Sequence, residues 1–480
     1  MLRYKSTTII SDIRIFFTSE EKAFNALVML LDYLMPVFSN IFNPMDKVNS
    51  LYRGVDKMLM LLLFPFFKVS HTANYQKYIS PKLFNGGKDL FYRMLNDPNI
   101  PWRKLLYKVT FRLIGKVQHL STRVQTERCL IVDDTDLKKT GRRIELVSKI
   151  YSHVTHSFSL GFKGLFLGYH DGSSFFGLDH SEHGEKGSNT KRPYGMKKKE
   201  LKKRYSKKRK KDTCGYCRKE EYFQNKIKQL ISMVRNAIKE GIRFDYLLVD
   251  SWFTCHEIIQ FIKTRRIKCH FLGMIKMGKT NYTYKGKSVT STQLAKSLNR
   301  NKKVKYCKKL KCWYSEAIVD FKGYEVKIFF CRGSKRSDWH GLLTTNTSLN
   351  FEEAYRIYSK RWTIEVFFKE CKQYLGLGKC QSKDFDAQIA SITICLLQYN
   401  MLSVVKRFEG YETLGALFRE AQADTLELTV FERIWQIITE LLCELVEFFD
   451  VELDVLIEKL FTGNENLTKL QKLKYLAMLG

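Results

Sequence analysis

The stretch CLIVDDTDL, residues 129–137, is a short apolar run that ends in acidic residues. Consecutive apolar residues without glycine or proline are typical of a buried strand, and the acids mark the point where it reaches the edge of a sheet. The stretch FDYLLVDSWFTC, residues 244–255, repeats this pattern and runs into Asp250. Together they predict an α/β core in which two strands carry aspartates at their carboxyl ends.

Strand and helix patterns alternate around these two stretches. KGLFLGYHDGSSFFGLDHS (163–181) predicts two strands joined by a hairpin, and HFLGMIK (270–276) and LLTT (342–345) predict two further strands. HEIIQFIKTRR, which follows the second aspartate stretch, predicts a helix. Between the last two strands, residues 277–341 contain short strand patterns such as CWYSEAIVDF, so we predict a β-rich insertion there.

The two ends of the chain have helical patterns. Apolar periodicity runs through KAFNALVMLLDYLMPVF near the start and FERIWQIITELLCELVEFF near the end. The fold prediction is therefore an α/β core with a mixed sheet flanked by helices, a β-rich insertion, and helical N- and C-terminal regions. The predicted segments are 1–125 (helical), 126–276 (core, first part), 277–341 (insertion), 342–384 (core, second part) and 385–480 (helical).

The stretch YSKRWTIEVFFKECK, residues 358–372, predicts a helix with a polar stripe. At about 100° per residue, Arg361, Glu365 and Lys372 fall within about 60° of Tyr358. The apolar face lies directly beside this stripe and consists of Ile364, Phe368, Cys371 and Leu375. On this helix alone, the simpler interpretation is a solvated rim with an ordinary Arg361–Glu365 pair.

The charge of the chain is strongly positive. Its 82 Lys and Arg residues outnumber 49 Asp and Glu residues, which gives a net charge of +33 spread along the sequence. Such a balance favours a polyanionic partner, and basic patches such as WRKLLYK suggest that the N-terminal region 1–125 binds DNA, with a plain helical bundle as the alternative. The very basic segment 191–222 predicts an exposed loop or frayed helix. We predict no membrane span, because the longest apolar run, MLMLLLFPFF, has about half the length of a membrane helix.

Three acidic residues from distant segments, Asp133, Asp250 and Glu365, are candidate metal ligands. Carboxylates brought together repel one another, and a divalent cation removes that penalty; all-oxygen sites favour Mg²⁺ or Mn²⁺. Two such ions about 4 Å apart can promote hydrolysis of a phosphodiester. The alternative is that strand-terminal aspartates are only cap or turn residues, since 49 acidic residues allow many accidental triads.

The order strand-Asp, strand-Asp, β-rich insertion, helix-Glu resembles the DDE transposases of bacterial insertion sequences, whose catalytic core has a ribonuclease H-like fold. Tyr358, Arg361, Glu365 and Lys372 keep every interval of the signature Tyr-x2-Arg-x3-Glu-x6-Lys of one branch. IVDDTDLKKTG and LLVDSWFTC resemble the two aspartate motifs of the family. The resemblance covers about residues 125–400 and is specific, because a spaced match coincides with two ordered strand motifs.

The resemblance implies roles for individual residues. Asp133, Asp250 and Glu365 would be catalytic and would hold two divalent ions, Mg²⁺ or Mn²⁺. The residues expected to contact DNA are Tyr358, Arg361, Lys372, Lys369 and Trp339. Arginine suits a forked phosphate contact and lysine a point charge. Trp339 is the candidate for stacking a flipped base, although it could simply pack the insertion, and Trp252 and Trp313 compete for that role.

One ligand assignment stays open. Asp133 and Asp134 are adjacent, so on a strand their side chains point to opposite faces. The family pattern favours Asp133, the first acid after the apolar run. Asp134 and Asp136 are the alternatives.

The function expected from this resemblance is metal-dependent cleavage of transposon ends and strand transfer into target DNA, by a cut-and-paste route through end hairpins. The partners would be terminal inverted repeats, target DNA and a second copy of the chain, with dimer contacts in the C-terminal region. A cytoplasmic, nucleoid-associated bacterial protein is expected. Two alternatives stay open: a non-catalytic DNA-binding protein or repressor derived from a transposase, and a stand-alone nuclease with the same core.

The 12 cysteines are scattered, as in a reduced cytoplasmic protein, and do not suggest a disulfide framework. Cys214 and Cys217 have zinc-ligand spacing, but no second CxxC or HxxxH follows. Cys255-His256 and Cys269-His270 could in principle complete a site. The alternative for Cys214 and Cys217 is a plain surface loop.

Overall fold

The structure is a computed structural model that describes residues 23–67, 87–120, 127–152, 155–264, 267–278 and 280–425. The chain divides into two compact units, Asn96–Asn400 and a second unit formed by the chain before and after it. The predicted amphipathic helix at 431–449, and with it the predicted dimer contact, lies outside the described residues. The predicted division into five segments stays a prediction.

The larger unit is built on a mixed sheet. Its strands are β1 (Cys129–Lys138), β2 (Ser148–Ser152), β3 (Ser157–His170), β4 (Phe175–His183), β5 (Tyr246–Val249), β6 (His270–Ile275), β7 (Asn281–Tyr284), β8 (Lys287–Thr290), β9 (Lys305–Cys307), β10 (Cys312–Phe321), β11 (Tyr324–Arg332) and β12 (His340–Thr344). The order across the sheet is β2-β3-β1-β5-β6-β12-β11-β10-β7-β8, with β4 paired to β3 and β9 to β10. Within the described ranges this is one sheet of 12 strands, so the strands of the β-rich segment join the same sheet as the core.

The helices flank this sheet or belong to the second unit. They are α1 (Ala23–Phe42), α2 (Gly54–Leu63), α3 (Lys88–Leu95), α4 (Trp102–Leu120), α5 (Lys198–Lys202), α6 (Cys214–Glu221), α7 (Lys226–Lys239), α8 (His256–Thr264), α9 (Ser291–Arg300), α10 (Phe351–Ser359), α11 (Trp362–Tyr374) and α12 (Phe385–Phe408). Helices α1, α2 and α3 confirm the predicted helical structure in the described part of the N-terminal region. The predicted hairpin, the strands at β5, β6 and β12, and the helix at α8 are confirmed as well.

Two parallel strands position the aspartates. β1 pairs in parallel with β5, and the last registered pair is Val132 with Val249. Asp133 and Asp250 each follow that pair directly, so the parallel register brings both carboxylates to the same level of the sheet. The apolar run ahead of each aspartate is fully buried, which fixes this register.

The sequence suggests that β1 ends at its acidic residues, but the strand is longer. It continues through the acidic residues to Lys138, because it pairs along its whole length with the long antiparallel β3, where Asp133 lies opposite Phe166. Along the acidic stretch β1 is therefore held to the sheet by its pairing with β3.

The predicted single helix over residues 358–372 is wrong in one respect. α10 ends at Ser359 and α11 begins at Trp362, so Tyr358 lies on one helix and Glu365 and Lys372 on the next. The joint is a tight turn in which the amides of Lys360 and Arg361 bond three residues back, to the carbonyls of Ile357 and Tyr358. The predicted apolar face is confirmed and includes one further phenylalanine: Ile364, Phe367, Phe368, Cys371 and Leu375 are buried.

The basic segment 191–222 is also more ordered than the sequence suggests. It contains α5 and α6, and the side chain of Arg209 is 0% exposed. The reason is that Glu145, Asp384 and Asp386, which lie elsewhere in the chain, form ion pairs with Arg209. Cys214 and Cys217 open α6, one helical turn apart, instead of lying on a loop.

Two described helices are long and apolar enough to cross a membrane by length and composition, Ala26–Met45 and Phe385–Phe408. The sequence argument considered only uninterrupted apolar runs, so it missed both. The apolar window of the second is 94% buried, as in the core helix of a globular protein, and that of the first is 44% buried. Helices of this kind are common in protein cores, so they give little support for a membrane span.

Candidate active site

The carboxylates of Asp133 and Glu365 are held by one guanidinium. Arg361 Nη1 donates to Asp133 Oδ2 at 2.9 Å, and Arg361 Nη2 donates to Glu365 Oε1. The arginine occupies the position directly before α11, makes no side-chain cap there, and its side chain is 15% exposed. The ordinary i,i+4 pair expected from the sequence is present, but the same arginine also reaches a strand 228 positions away.

Asp250 closes the turn that follows β5. Its Oδ1 accepts hydrogen bonds from the amides of Trp252 at 2.9 Å and Phe253 at 3.1 Å. This is the turn-residue geometry of the simpler interpretation. It uses one carboxylate oxygen, and the charge of Asp250 still contributes to the electrostatics of Asp133. The structure therefore links Asp133 and Glu365 through Arg361, and places Asp250, in the turn after β5, close enough to Asp133 to affect its charge.

The two alternative ligands point elsewhere. Asp134 accepts a hydrogen bond from Lys226 of α7, and Asp136 pairs with Lys163 of β3 at 2.6 Å. Asp133 alone among these three contacts Arg361. The strand alternation thus separates the candidates, and the geometry favours Asp133 over its neighbours as the residue that shares a site with Glu365.

The electrostatics of the site are those of a crowded carboxylate group. Burial raises the pKa of Asp133 to about 7; the Arg361 guanidinium opposes this, and the nearby Asp250 adds to it. Burial also lowers the pKa of Lys372. A buried carboxyl whose charge is disfavoured gains from any added positive charge nearby.

The donor set suits a hard divalent cation. All three side chains offer carboxylate oxygen, the ligand that Mg²⁺ and Mn²⁺ prefer. Among the described residues, no group of three or more His, Cys, Asp or Glu side chains lies close enough together to hold a metal ion. Arg361 instead supplies the compensating charge for Asp133 and Glu365, so a cation binding them would compete with this arginine.

Tyr358 supports the strand end instead of facing outward. Its hydroxyl donates to the carbonyl of Val249 at 3.3 Å, the residue directly before Asp250. Burial raises the pKa of this phenol to about 12. The guanidinium of Arg361 lies 5.9 Å from the centre of its ring. The tyrosine predicted to contact phosphate is thus placed to position Asp250 and Arg361.

We expect Tyr358→Phe to cost about 0.5–1.5 kcal/mol in the free energy of unfolding, because it removes one hydrogen bond to the Val249 carbonyl. DNA affinity should stay within twofold of the wild type. Urea unfolding and a binding titration check this, with Tyr355→Phe, a 43% exposed tyrosine on the same helix, as the control. Unchanged stability with weaker DNA binding would instead favour a direct phosphate contact.

The remaining predicted DNA contacts lie in different environments. Lys372 Nζ donates to Thr135 Oγ1 at 2.6 Å, which places it next to the acidic stretch of β1. Lys369, one turn earlier on α11, is exposed. Trp339 precedes β12, is half-buried and has the Arg332 guanidinium 4.3 Å above its ring.

The two competing tryptophans are also engaged. Lys226 lies 4.8 Å from the ring centre of Trp252, which is 47% exposed. Trp313 has the Tyr306 ring at 5.0 Å and Lys335 at 5.1 Å. Each tryptophan therefore has a cation beside it, and the contacts alone do not rank the three.

A cleft of about 630 Å³ adjoins the start of α11, and we call it the aromatic cleft. Its polar and aromatic walls are formed by Arg332, His340, Tyr355, Tyr358, Arg361 and Trp362. The sequence analysis missed Trp362, whose side chain is 62% exposed directly beside Arg361. Its position next to the polar stripe was the available signal, since a tryptophan there cannot belong to the apolar face.

A second cleft of about 800 Å³ adjoins the end of α11, and we call it the lysine cleft. The charged residues lining it are Asp134, Asp136, Lys138, Lys163, Lys372 and Lys379. From Arg361 to Lys372 the helix rises roughly 16 Å, with Glu365 between them. A nucleic-acid strand that lay along α11 from the aromatic cleft to the lysine cleft would therefore pass the carboxylates.

Residues 224–401 match a protein-family model described as a transposase DDE domain. The matched segment contains Asp250 and the whole signature from Tyr358 to Lys372, whereas Asp133 precedes it. Among solved structures, the chain is similar to a piggyBac transposase in a synaptic complex with hairpin DNA, determined by cryo-EM. The identity is 12%, the match covers 90% of this chain and 82% of that chain, and the TM-score is 0.44.

No curated protein matches the chain in sequence. The family match covers the part of the chain that carries two of the three carboxylates.

Proposed function

We propose that the chain is a DNA transposase that cleaves the ends of a transposable element and joins them to target DNA. The observation that carries this proposal is the Arg361 guanidinium, which holds Asp133 of β1 and Glu365 of α11, while Asp250, directly after β5, acts electrostatically on Asp133. These residues lie far apart in sequence and would together form one carboxylate site. The family match over residues 224–401 supports the same class of chemistry.

Asp133, Asp250 and Glu365 would hold two divalent ions, Mg²⁺ or Mn²⁺. When bound there, such ions activate a water or a 3′ hydroxyl and stabilise the leaving oxygen at a phosphodiester. The transposase family supports a divalent metal in general, and the all-oxygen donor set supports Mg²⁺ in particular.

The protein's own groups would orient the DNA strand. Arg361, whose forked guanidinium suits a phosphate, would contact the DNA backbone if its bonds to Asp133 and Glu365 were given up. Tyr358 keeps the strand end in place through Val249. Lys372, in the lysine cleft, and the exposed Lys369 provide positive charge further along α11.

An end hairpin needs an extruded base, and Trp339 is the proposed stacking partner. We expect Trp339→Ala to weaken binding of an end with an extruded base by about 1–3 kcal/mol. The base analogue 2-aminopurine, placed at the end positions, should be quenched by the wild type and fluoresce with Trp339→Ala.

The matched controls are Trp252→Ala, Trp313→Ala and Trp362→Ala, which should keep the quenching. Loss of quenching in Trp362→Ala with retention in Trp339→Ala would move the stacking role to the aromatic cleft, where Trp362 is exposed.

Further parts of the proposal concern the fold and the assembly. The antiparallel run β4-β3-β1 followed by parallel β5 and β6 supports a ribonuclease H-like core. We also propose that two copies pair the two element ends, that the N-terminal region binds terminal repeats, and that the protein acts on the nucleoid in a bacterial cytoplasm. The net charge of +33 supports the DNA partner.

Two other functions would share this surface. A binding-only descendant of a transposase would keep the charge and lose catalysis, and a stand-alone nuclease would cut without joining. The intact set of Asp133, Asp250 and Glu365 favours an enzyme.

The test uses purified protein and labelled duplex DNA that carries an element end and its flank, incubated with Mg²⁺ or with EDTA. We expect nicking at the end, hairpin products and joining to a target plasmid, all dependent on metal. Cutting at random positions without joining would favour the nuclease. Tight end binding without any cleavage would favour the binding-only protein.

A further inference from the structure

Residues 197–211, KKKELKKRYSKKRKK, form a segment that we call the basic strap. Eleven of its 15 residues are Lys or Arg and one is acidic. A run of this composition is usually a solvated, disordered tail, because like charges repel and few apolar groups can be buried. The structure instead attaches the strap to the larger unit.

The attachment is made by cations that point inward. Arg209, with a side chain that is 0% exposed, binds Glu145 at 2.7 Å, Asp386 at 3.0 Å and Asp384 at 3.1 Å. Lys207 lies 2.9 Å from both Asp384 and Asp386. These acids come from the β1–β2 connection and the start of α12, so two separate segments hold the strap.

Backbone contacts fix the strap in the same place. The amide of Tyr205 donates to the carbonyl of Arg143 at 2.8 Å, and Arg204 Nη1 donates to the carbonyl of Val147 at 2.8 Å. Thr213, at the end of the strap, caps α6 through the amide of Tyr216. The strap is therefore a fixed part of the surface. A localisation signal that a receptor binds would instead require these basic residues to lie on an unstructured segment.

All eight other lysines of the strap are exposed, and we define its outward face by five of them. The outward face consists of Lys202, Lys203, Lys208, Lys210 and Lys211, all exposed. None of the five forms an ion pair with an acidic side chain of the described ranges. Inward and outward residues alternate at positions 207 to 210, so the anchors themselves set the direction of the free lysines. Like charges held at fixed positions repel one another, and a polyanion offsets that repulsion.

The strap adjoins the candidate site. Its anchor Asp384 follows the segment in which Lys379 and Gln381 line the lysine cleft, and the amide of Glu145, the other anchor, donates to the carbonyl of Lys383 at 2.9 Å. Lys372 of α11 lines the same cleft. The fixed positive charge therefore continues from the carboxylate helix, through the lysine cleft, to the strap.

We propose that the outward face of the basic strap binds the phosphate backbone of duplex DNA next to the cleaved position. The proposal rests on the proposed function, in that the duplex is the one being cut. Contacts of this kind add affinity and register without reading sequence, because phosphates are the same at every base pair. The strap would thus hold DNA whose bases are recognised elsewhere.

The test compares two variants with equal net charge. One replaces Lys202, Lys203, Lys208, Lys210 and Lys211 with Gln, and the control replaces five exposed lysines of the β-rich segment, Lys287, Lys296, Lys302, Lys303 and Lys322. The dissociation constant for a labelled duplex is measured at several salt concentrations. We expect the slope of log K against log[salt] to become shallower by up to about 4.5 in the strap variant, at about 0.9 per lost phosphate contact.

Thermal unfolding of both variants should match the wild type, since the replaced side chains are exposed. As an independent measurement, acetylation of the five strap lysines followed by mass spectrometry should be suppressed by duplex DNA, with little change at the control lysines. An unchanged slope together with unprotected strap lysines would overturn the proposal. Equal slopes in the strap and control variants would overturn it too, because the effect would then be one of net charge.

Failure of the strap and failure of the proposed function give different results. A shallower slope in a protein that never cleaves DNA would support DNA binding by the strap and contradict the transposase proposal. Metal-dependent cleavage together with an unchanged slope would support the transposase proposal and contradict DNA binding by the strap.

Discussion

Glu365→Gln is expected to reduce metal-dependent cleavage of end DNA by about 10³-fold or more while leaving DNA affinity within twofold. Glutamine keeps the size of the side chain and one oxygen, but it removes the negative charge that a divalent cation needs. A loss of several kcal/mol in transition-state stabilisation corresponds to rate losses of this size. Arg361 keeps its bond to Asp133 at 2.9 Å in this variant, so the local structure should persist.

The measurement is the single-turnover cleavage rate of a labelled end at saturating protein. Glu352→Gln is the matched control, because Glu352 is a 51% exposed carboxylate on the preceding helix α10. The control should cleave at the wild-type rate. Equal rates for Glu365→Gln and the control would remove Glu365 from the proposed metal site.

Asp133→Asn is expected to abolish cleavage and, without metal, to stabilise the protein at high pH. The pKa of Asp133 is raised from 3.8 to about 7 by burial, so the folded protein keeps a proton that the unfolded chain releases. Stability due to this carboxyl is therefore present below about pH 4 and is lost as the pH rises to about 7. Asparagine stays neutral, so the variant should gain at most about 4 kcal/mol at pH 8 and nothing near pH 4.

Urea unfolding in EDTA from pH 4 to pH 8 tests this expectation. Asp338→Asn, at an exposed position of the loop before β12, is the control and should follow the wild type at every pH. Adding Mg²⁺ should raise the melting temperature of the wild type at pH 8 and leave Asp133→Asn unchanged. Parallel stability curves for Asp133→Asn and the wild type would contradict the burial of this carboxyl.

Much of the site's framework could be predicted from sequence because strong local patterns determine it. The apolar runs before Asp133 and Asp250 specify buried strands, and a parallel register then places the two aspartates level. The apolar face of α11 follows from its spacing, and its burial is confirmed. In these cases a repeating pattern and a buried surface give the same answer.

The rest depends on contacts between distant residues, which local patterns do not contain. The joint between α10 and α11 turns Tyr358 toward the Val249 carbonyl, whereas a continuous helix would have placed it in one stripe with Glu365. Spacing on the helix predicts the pairing of Arg361 with Glu365, but its second partner, Asp133, lies on a distant strand.

The basic strap shows the same limit. A run of lysines reads as solvent-exposed unless its acidic partners are known, and Glu145, Asp384 and Asp386 lie far away in the sequence. The ion pairs that hold Arg209 all come from these three residues, which lie outside the run.

The most direct test of the central claim, that Asp133, Asp250 and Glu365 form one divalent-metal site, is the binding of Mn²⁺ measured by electron paramagnetic resonance. Free Mn²⁺ gives a sharp signal that is lost on binding, so a titration counts the ions held by the protein. We expect saturable binding by the wild type that is weakened at least tenfold in Asp133→Asn, Asp250→Asn and Glu365→Gln, and unchanged in Glu352→Gln. Identical Mn²⁺ binding by all five proteins would contradict the claim.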